Sequence, residues 1–174
     1  MTFDAQLALL FNNVTGLSPL LDEVIVFLAS DLAYVLPIIL LALVFSSQYS
    51  RREKWELLLV AFLSSIVARV GVAELIRSFY HRPRPFSVLP IHQLLTDTAW
   101  SFPSGHATFF FALATAVYLY NRKWGIGFFI AAGIMAVSRV IAGVHYPSDI
   151  IGGALIGILV ALGIFYSVRR ATPM

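Results

Sequence analysis

The sequence predicts an all-α fold, a polytopic membrane helix bundle with five transmembrane helices and an N-terminal interfacial helix. Three observations predict it. Hydrophobic residues make up 59% of the chain and charged residues 12%, roughly half the charged share of a soluble domain, so the solvent is lipid. Five apolar stretches, 20–46, 55–79, 104–121, 124–142 and 149–168, meet or approach the roughly 20 helical residues that cross about 30 Å of hydrocarbon. The basic residues that follow the first, third and fifth stretches fall on one side of such a bundle.

The length suits one domain, 1–174, with 1–19 as the interfacial helix and 20–168 as the transmembrane core. In 1–19, Phe3, Leu7, Leu10, Phe11 and Val14 share one helical face, the pattern of a helix lying in the membrane surface. The segment lacks the basic start and small-residue cleavage site of a secretory signal, so it is expected to be retained. A short polar turn around Asn121-Arg122-Lys123 makes the third and fourth helices an antiparallel pair. In the fifth, Gly153, Gly157 and Ala161 recur every fourth residue, a stripe that lets helix backbones approach closely in lipid. The one long connection, 80–103, has a length that is usually functional.

Arg51, Arg52 and Lys54, then Arg122 and Lys123, then Arg169 and Arg170 mark the cytoplasmic side. The N-terminus, 80–103 and 143–148 are therefore expected outside. Four further arginines, Arg77, Arg82, Arg84 and Arg139, sit at or near the outer ends of spans, and Arg69 lies deeper. The absence of cysteine excludes disulfides, thiolate metal sites and cysteine nucleophiles. The net charge of +3 is spread in small groups with no basic run, so no nucleic-acid partner is expected.

An arginine in the membrane costs roughly 2.5–3.5 kcal/mol at mid-bilayer on insertion scales, so a cluster on the outer side needs a reason. Guanidinium groups fork onto phosphate oxygens, and several together match the charge of a phosphate or pyrophosphate. The competing reading is local pairing, for which Glu74 stands three residues before Arg77. Asp22, Glu23 and Asp97 are the other main acids on that side, none close in sequence to the remaining arginines.

Pro103-Ser104-Gly105-His106 opens the third helix. Ser104 suits a helix cap, Gly105 lets a ligand approach the backbone, and free N–H groups at the helix start attract an anion. His106, in the first turn of an apolar helix, needs a polar partner. Between the fourth and fifth helices, the turn Gly143-Val144-His145-Tyr146-Pro147 carries His145 to the outer surface. Asp149, four residues on, can accept one imidazole N–H and leave the other nitrogen free to attack. As a plain helix-start acid it would also be stabilised by the dipole.

Arg77-x6-Arg84-Pro85, Pro103-Ser104-Gly105-His106 and Ser138-Arg139-x5-His145-x3-Asp149 together resemble the three-part signature of the type 2 phosphatidic acid phosphatase superfamily. One departure is Arg77, where the family usually has lysine. The resemblance implies a membrane lipid phosphatase in which His145 attacks phosphorus, Asp149 orients it, and His106 protonates the leaving oxygen and then activates water. It implies that Arg77, Arg84, Ser104, Gly105 and Arg139 bind the phosphate, and that no cofactor and no metal are used. Short members with nothing beyond the core resemble bacterial undecaprenyl pyrophosphate phosphatases, which makes undecaprenyl pyrophosphate the expected substrate and the outer face of the bacterial cytoplasmic membrane the expected place. Phosphatidylglycerophosphate, phosphatidic acid and lipid A are the alternative headgroups, and a lipid-binding or transport subunit is the non-enzymatic alternative. Arg69 belongs to none of the motifs. It lies at about the depth of Asp31, so an Asp31–Arg69 pair between the first two spans is expected, the other arrangement being Asp31 turned toward Arg77.

Overall fold

A computed structural model describes residues 1–171, which are helical with no strand among them. Helix α1 (Phe3–Asn12) is capped by Thr2. Helix α2 (Pro19–Ser46) starts on a Ser18 cap with Pro19 in its first turn. Helix α3 (Arg51–Phe79) starts earlier than its apolar stretch because Ser50 and Glu53 close a capping box around its charged first turn. A single helical turn, α4 (Pro85–Val88), interrupts the long connection. Helices α5 (Gly105–Tyr120), α6 (Arg122–Ile141) and α7 (Pro147–Ala171) complete the bundle.

Four of these, α2, α3, α6 and α7, are long and apolar enough to cross a membrane. The third stretch behaves differently. Its helix α5 has 16 residues, about 24 Å at roughly 1.5 Å per residue, shorter than the hydrocarbon layer. It sits inside the bundle, packed on α3, α6 and α7, with Ala112, Leu113, Ala114, Ala116 and Val117 fully enclosed. Leu155, Leu159 and Tyr166 of α7 and Ile126 and Ile130 of α6 are exposed. Large apolar side chains outside and small ones inside is the arrangement that lipid favours.

The small-residue stripe of α7 faces α5. A side chain at Gly153 would strike the Ser104 carbonyl, and one at Gly157 the Thr108 carbonyl and Ala112 nitrogen. These close approaches set the start of α5 beside the start of α7, where the Ser104 N–H donates to the Asp149 carbonyl at 3.1 Å. Between α6 and α7 the chain reverses at Gly143, whose φ of 81° is a conformation that residues with a Cβ rarely adopt.

Both long N-terminal helices contain a π-helical stretch, Phe27–Asp31 in α2 and Val67–Ala73 in α3. The second overturns the expected Asp31 pairing. A π turn aligns residues five apart, so Arg69 meets Glu74 on its own helix, and the two form an ion pair. Arg77 is also engaged, with Glu74 at 3.0 Å and the Pro103 carbonyl at 2.8 Å. Asp31 is exposed and pairs with neither.

Candidate functional site

His145 and Asp149 are both fully buried. His145 Nδ1 lies 3.5 Å from Asp149 Oδ2, an ion-pair distance, and makes no hydrogen bond among the described residues. On the other side of the ring, Arg84 Nη1 is 3.3 Å from Nε2. A guanidinium can only donate, so Nε2 carries the lone pair and Nδ1 the proton, on the side of the ring where Asp149 stands. Burial lowers the pKa of His145; Asp149 opposes this and Arg139 and Arg84 reinforce it, and the value falls to about 4. The ring is neutral at pH 7. Asp149 is held firmly by others: its Oδ2 accepts from Ser101 Oγ and from the Tyr146 N–H at 2.8 Å, and its Oδ1 accepts from Arg82 at 2.6 Å.

The three arginines of the signature are buried. Arg84 donates to the Ala99 and Val144 carbonyls at 2.7 and 2.8 Å. Arg139 donates to the Ala29 carbonyl at 2.9 Å, in the π-helical stretch of α2. Asp97 then lies between them, 2.7 Å from Arg84 Nη2 and 3.5 Å from Arg139 Nη2. Burial works against the charge of Asp97, but Arg84, the Ala99 N–H and Arg139 hold its pKa below the usual carboxylate value. The expectation that sequence-distant acids leave these arginines unpaired is thus corrected. Any other acceptor that reaches Arg84 and Arg139 has to compete with Asp97.

Donors nevertheless remain. Arg77 Nε, Arg139 Nε and Ser104 Oγ are buried without a hydrogen-bond partner. Ser104 stands in the cap position of α5 but makes no capping bond, which sets aside the reading of Ser104 as a plain cap. Unmade buried hydrogen bonds cost about 1–3 kcal/mol each, and an anion seated at the start of α5 would satisfy them. His106 has no polar protein partner; it stacks on Phe110 and lines a cavity of about 230 Å³ with Arg69 and Gly105. Its polar partner is therefore to come from what enters that cavity. The site residues singled out in the sequence lie at one end of the bundle, around the starts of α5 and α7 and the ends of α3 and α6.

The sequence did not reveal Arg82, Asp4, Ser101 and Asp97 as members of the site. Arg82 joins Asp149, Ser148 Oγ and Asp4, each at 2.6 Å, and its guanidinium lies 3.9 Å above the Tyr146 ring. Asp4 also accepts from the Ser148 N–H at 3.0 Å. Asn12, at the other end of α1, bonds the backbone of His92 and Ile141. These contacts clamp α1 onto the site, and only Arg82, as a fourth outer arginine, was visible as a signal.

The site combines a buried histidine and aspartate with three buried arginines in a multi-pass membrane protein, and known proteins resemble the chain in sequence and fold. The PAP2 superfamily pattern matches residues 55–173. Undecaprenyl-diphosphatase BcrC of Bacillus subtilis is 32% identical over 161 residues, 90% of this chain and 81% of that protein. Bacitracin transport permease protein BcrC of Bacillus licheniformis is 30% identical over 154 residues, 87% of this chain and 73% of that protein. The crystal structure of Aquifex aeolicus LpxE matches with a TM-score of 0.73 and 28% identity, covering 95% of this chain and 96% of that one. The protein is a membrane phosphatase. It belongs to the PAP2 superfamily.

The clamp on α1 has a measurable consequence. Asp4→Ala leaves the Ser148 N–H, the Ser148 hydroxyl and one arm of Arg82 without an acceptor. It should lower stability by about 1–3 kcal/mol, read as a drop in the thermal unfolding midpoint of detergent-purified protein. An unchanged midpoint would show that α1 is not anchored through Asp4.

Proposed function

We propose that the protein hydrolyses undecaprenyl diphosphate to undecaprenyl phosphate through a phosphohistidine at His145. The observation that carries this reading is the neutral, enclosed imidazole, whose Nε2 lone pair faces Arg84 while Nδ1 faces Asp149. Nε2 attacks the terminal phosphorus, a P–N bond forms, and the P–O bond to the lipid phosphate breaks. Asp149 balances the charge that develops on the ring. Arg77, Arg84 and Arg139, with Ser104 and the Gly105 N–H, stabilise the equatorial oxygens of the transition state. His106 protonates the leaving oxygen, then takes a proton from the water that releases phosphate. The substrate follows the name of the Bacillus subtilis relative. Phosphatidylglycerophosphate, phosphatidic acid and lipid A are the alternative substrates, and side-by-side assay of these lipids tests the choice.

In the same reading the chain is one domain with five spans, α5 crossing as part of the bundle. Helix α1 lies in the membrane interface: Ala5, Ala8 and Asn12 face the protein while Phe3, Leu10 and Phe11 are exposed. The site opens on the outer face of the bacterial cytoplasmic membrane, by the placement of the basic loops.

His145→Ala should reduce turnover to background while the protein elutes and melts as wild type, because no other group can form the covalent intermediate. Substantial residual phosphate release would refute the mechanism. In nitrogen-15 spectra assigned by that variant, His145 should gain its second proton only near pH 4, remaining neutral above it. A transition near the ordinary value of about 6.5 would remove the enclosed neutral nucleophile. The orientation is tested by impermeant thiol labelling of intact cells, helped by the absence of native cysteine. His92→Cys should react and Gln48→Cys should not; the opposite pattern would put the site inside.

A further inference from the structure

Arg69 is the one membrane arginine that neither the basic loops nor the signature motifs explain, and the structure gives it a definite place. It lines the same cavity as His106, and the rest of that wall is Ala33, Pro37, Phe109 and Phe110. The cavity is thus cationic where it meets the site and apolar away from it. The Arg69 guanidinium lies directly over Gly105, so close that any side chain there would collide with it. The side chain of Arg69 is one-third exposed, and its partner Glu74 nearly half exposed. Both side chains therefore keep an accessible face, and an anion in the cavity can meet the Arg69 guanidinium while Glu74 stays beside it.

We propose that Arg69 binds the lipid-proximal phosphate of a diphosphate substrate and so selects diphosphate over monophosphate lipids. This rests on the reading of the protein as a lipid phosphatase acting through His145. When His145 takes the terminal phosphoryl group, the oxygen that leaves belongs to the second phosphate, and His106 is the group set to protonate it. The second phosphate then lies beyond the terminal phosphorus from His145 and beside His106, in the cavity that His106 and Arg69 line together, with the first isoprenoid units against Phe109 and Phe110. The leaving lipid phosphate departs as an anion, and a guanidinium beside it stabilises charge that is greater in the transition state than in the substrate. A monophosphate substrate leaves as an alcohol and offers Arg69 nothing to hold.

The test is the ratio of kcat/KM for farnesyl diphosphate to that for farnesyl monophosphate, measured with wild type and with Arg69→Gln. The variant should lower this ratio about tenfold or more, as expected for one charge-assisted hydrogen-bonded contact. A lesion in folding alone would reduce both substrates together and leave the ratio in place. Where Arg69→Gln does not fold, Arg69→Lys carries the test: it retains charge but loses the planar fork, and its ratio should fall roughly threefold. A wild-type preference for diphosphate that survives the substitution overturns the role of Arg69 alone. A wild type that hydrolyses the monophosphate as well as the diphosphate overturns both the diphosphate reading and the selection by Arg69.

Discussion

A guanidinium carries several N–H donors, and within a helix bundle in lipid each one left without an acceptor costs free energy. One end of this bundle holds Arg77, Arg84 and Arg139 almost completely buried. Backbone carbonyls of Pro103, Ala99, Val144 and Ala29 satisfy part of that demand, and two carboxylates, Glu74 and Asp97, satisfy more. The connection before α5, the turn after α6 and the π-helical stretch of α2 are thereby tied to one cluster of positive charge. What is left over, Arg77 Nε, Arg139 Nε and Ser104 Oγ, is an unfilled demand for acceptors at the start of α5. The cluster holds the fold together and attracts an anion by the same physics.

Close helix packing makes that cluster possible. Glycines at 153 and 157 let α7 lie against the backbone of α5, so the first turns of the two helices share a hydrogen bond from Ser104 to Asp149. Ser104, from one motif, and Asp149, from another, are set at fixed positions without any side chain between them. A larger residue in the stripe would push Asp149 away from Ser104. The stripe is packing, yet the site's geometry depends on it.

Much of this was legible in the sequence because it depends on composition, period and local spacing. The apolar lengths located the helices, Pro147 located the start of α7, and the i,i+4 spacing of His145 and Asp149 put the two side chains together. What was not legible depends on contacts between distant residues or on a change of helical period. Arg82 meets Asp4 across 78 residues, and Asp97 reaches Arg84 and Arg139 from a connection without regular structure. The depth argument for Asp31 and Arg69 assumed 3.6 residues per turn throughout; the π-helical stretch at 67–73 turns Arg69 to Glu74 instead. Depth can be counted along a helix, but facing direction is lost when the turn widens.

His145 and His106 differ in access, and the difference suits the proposed division of labour. His145 has no solvent-accessible surface, so its neutral form is favoured and its lone pair is not spent on water. His106 lines an open cavity, where both a leaving oxygen and, later, a water can reach it. A nucleophile that must survive as a phosphoryl adduct benefits from exclusion of water, whereas a group that first gives and then takes a proton requires exchange with its surroundings. Asp97 adds a condition to the first step. Because it occupies Arg84 and Arg139 when no anion is bound, the two cations are never left facing each other unneutralised. A phosphate with more than one negative charge is the natural competitor for that place, since it can offer both arginines an oxygen at once.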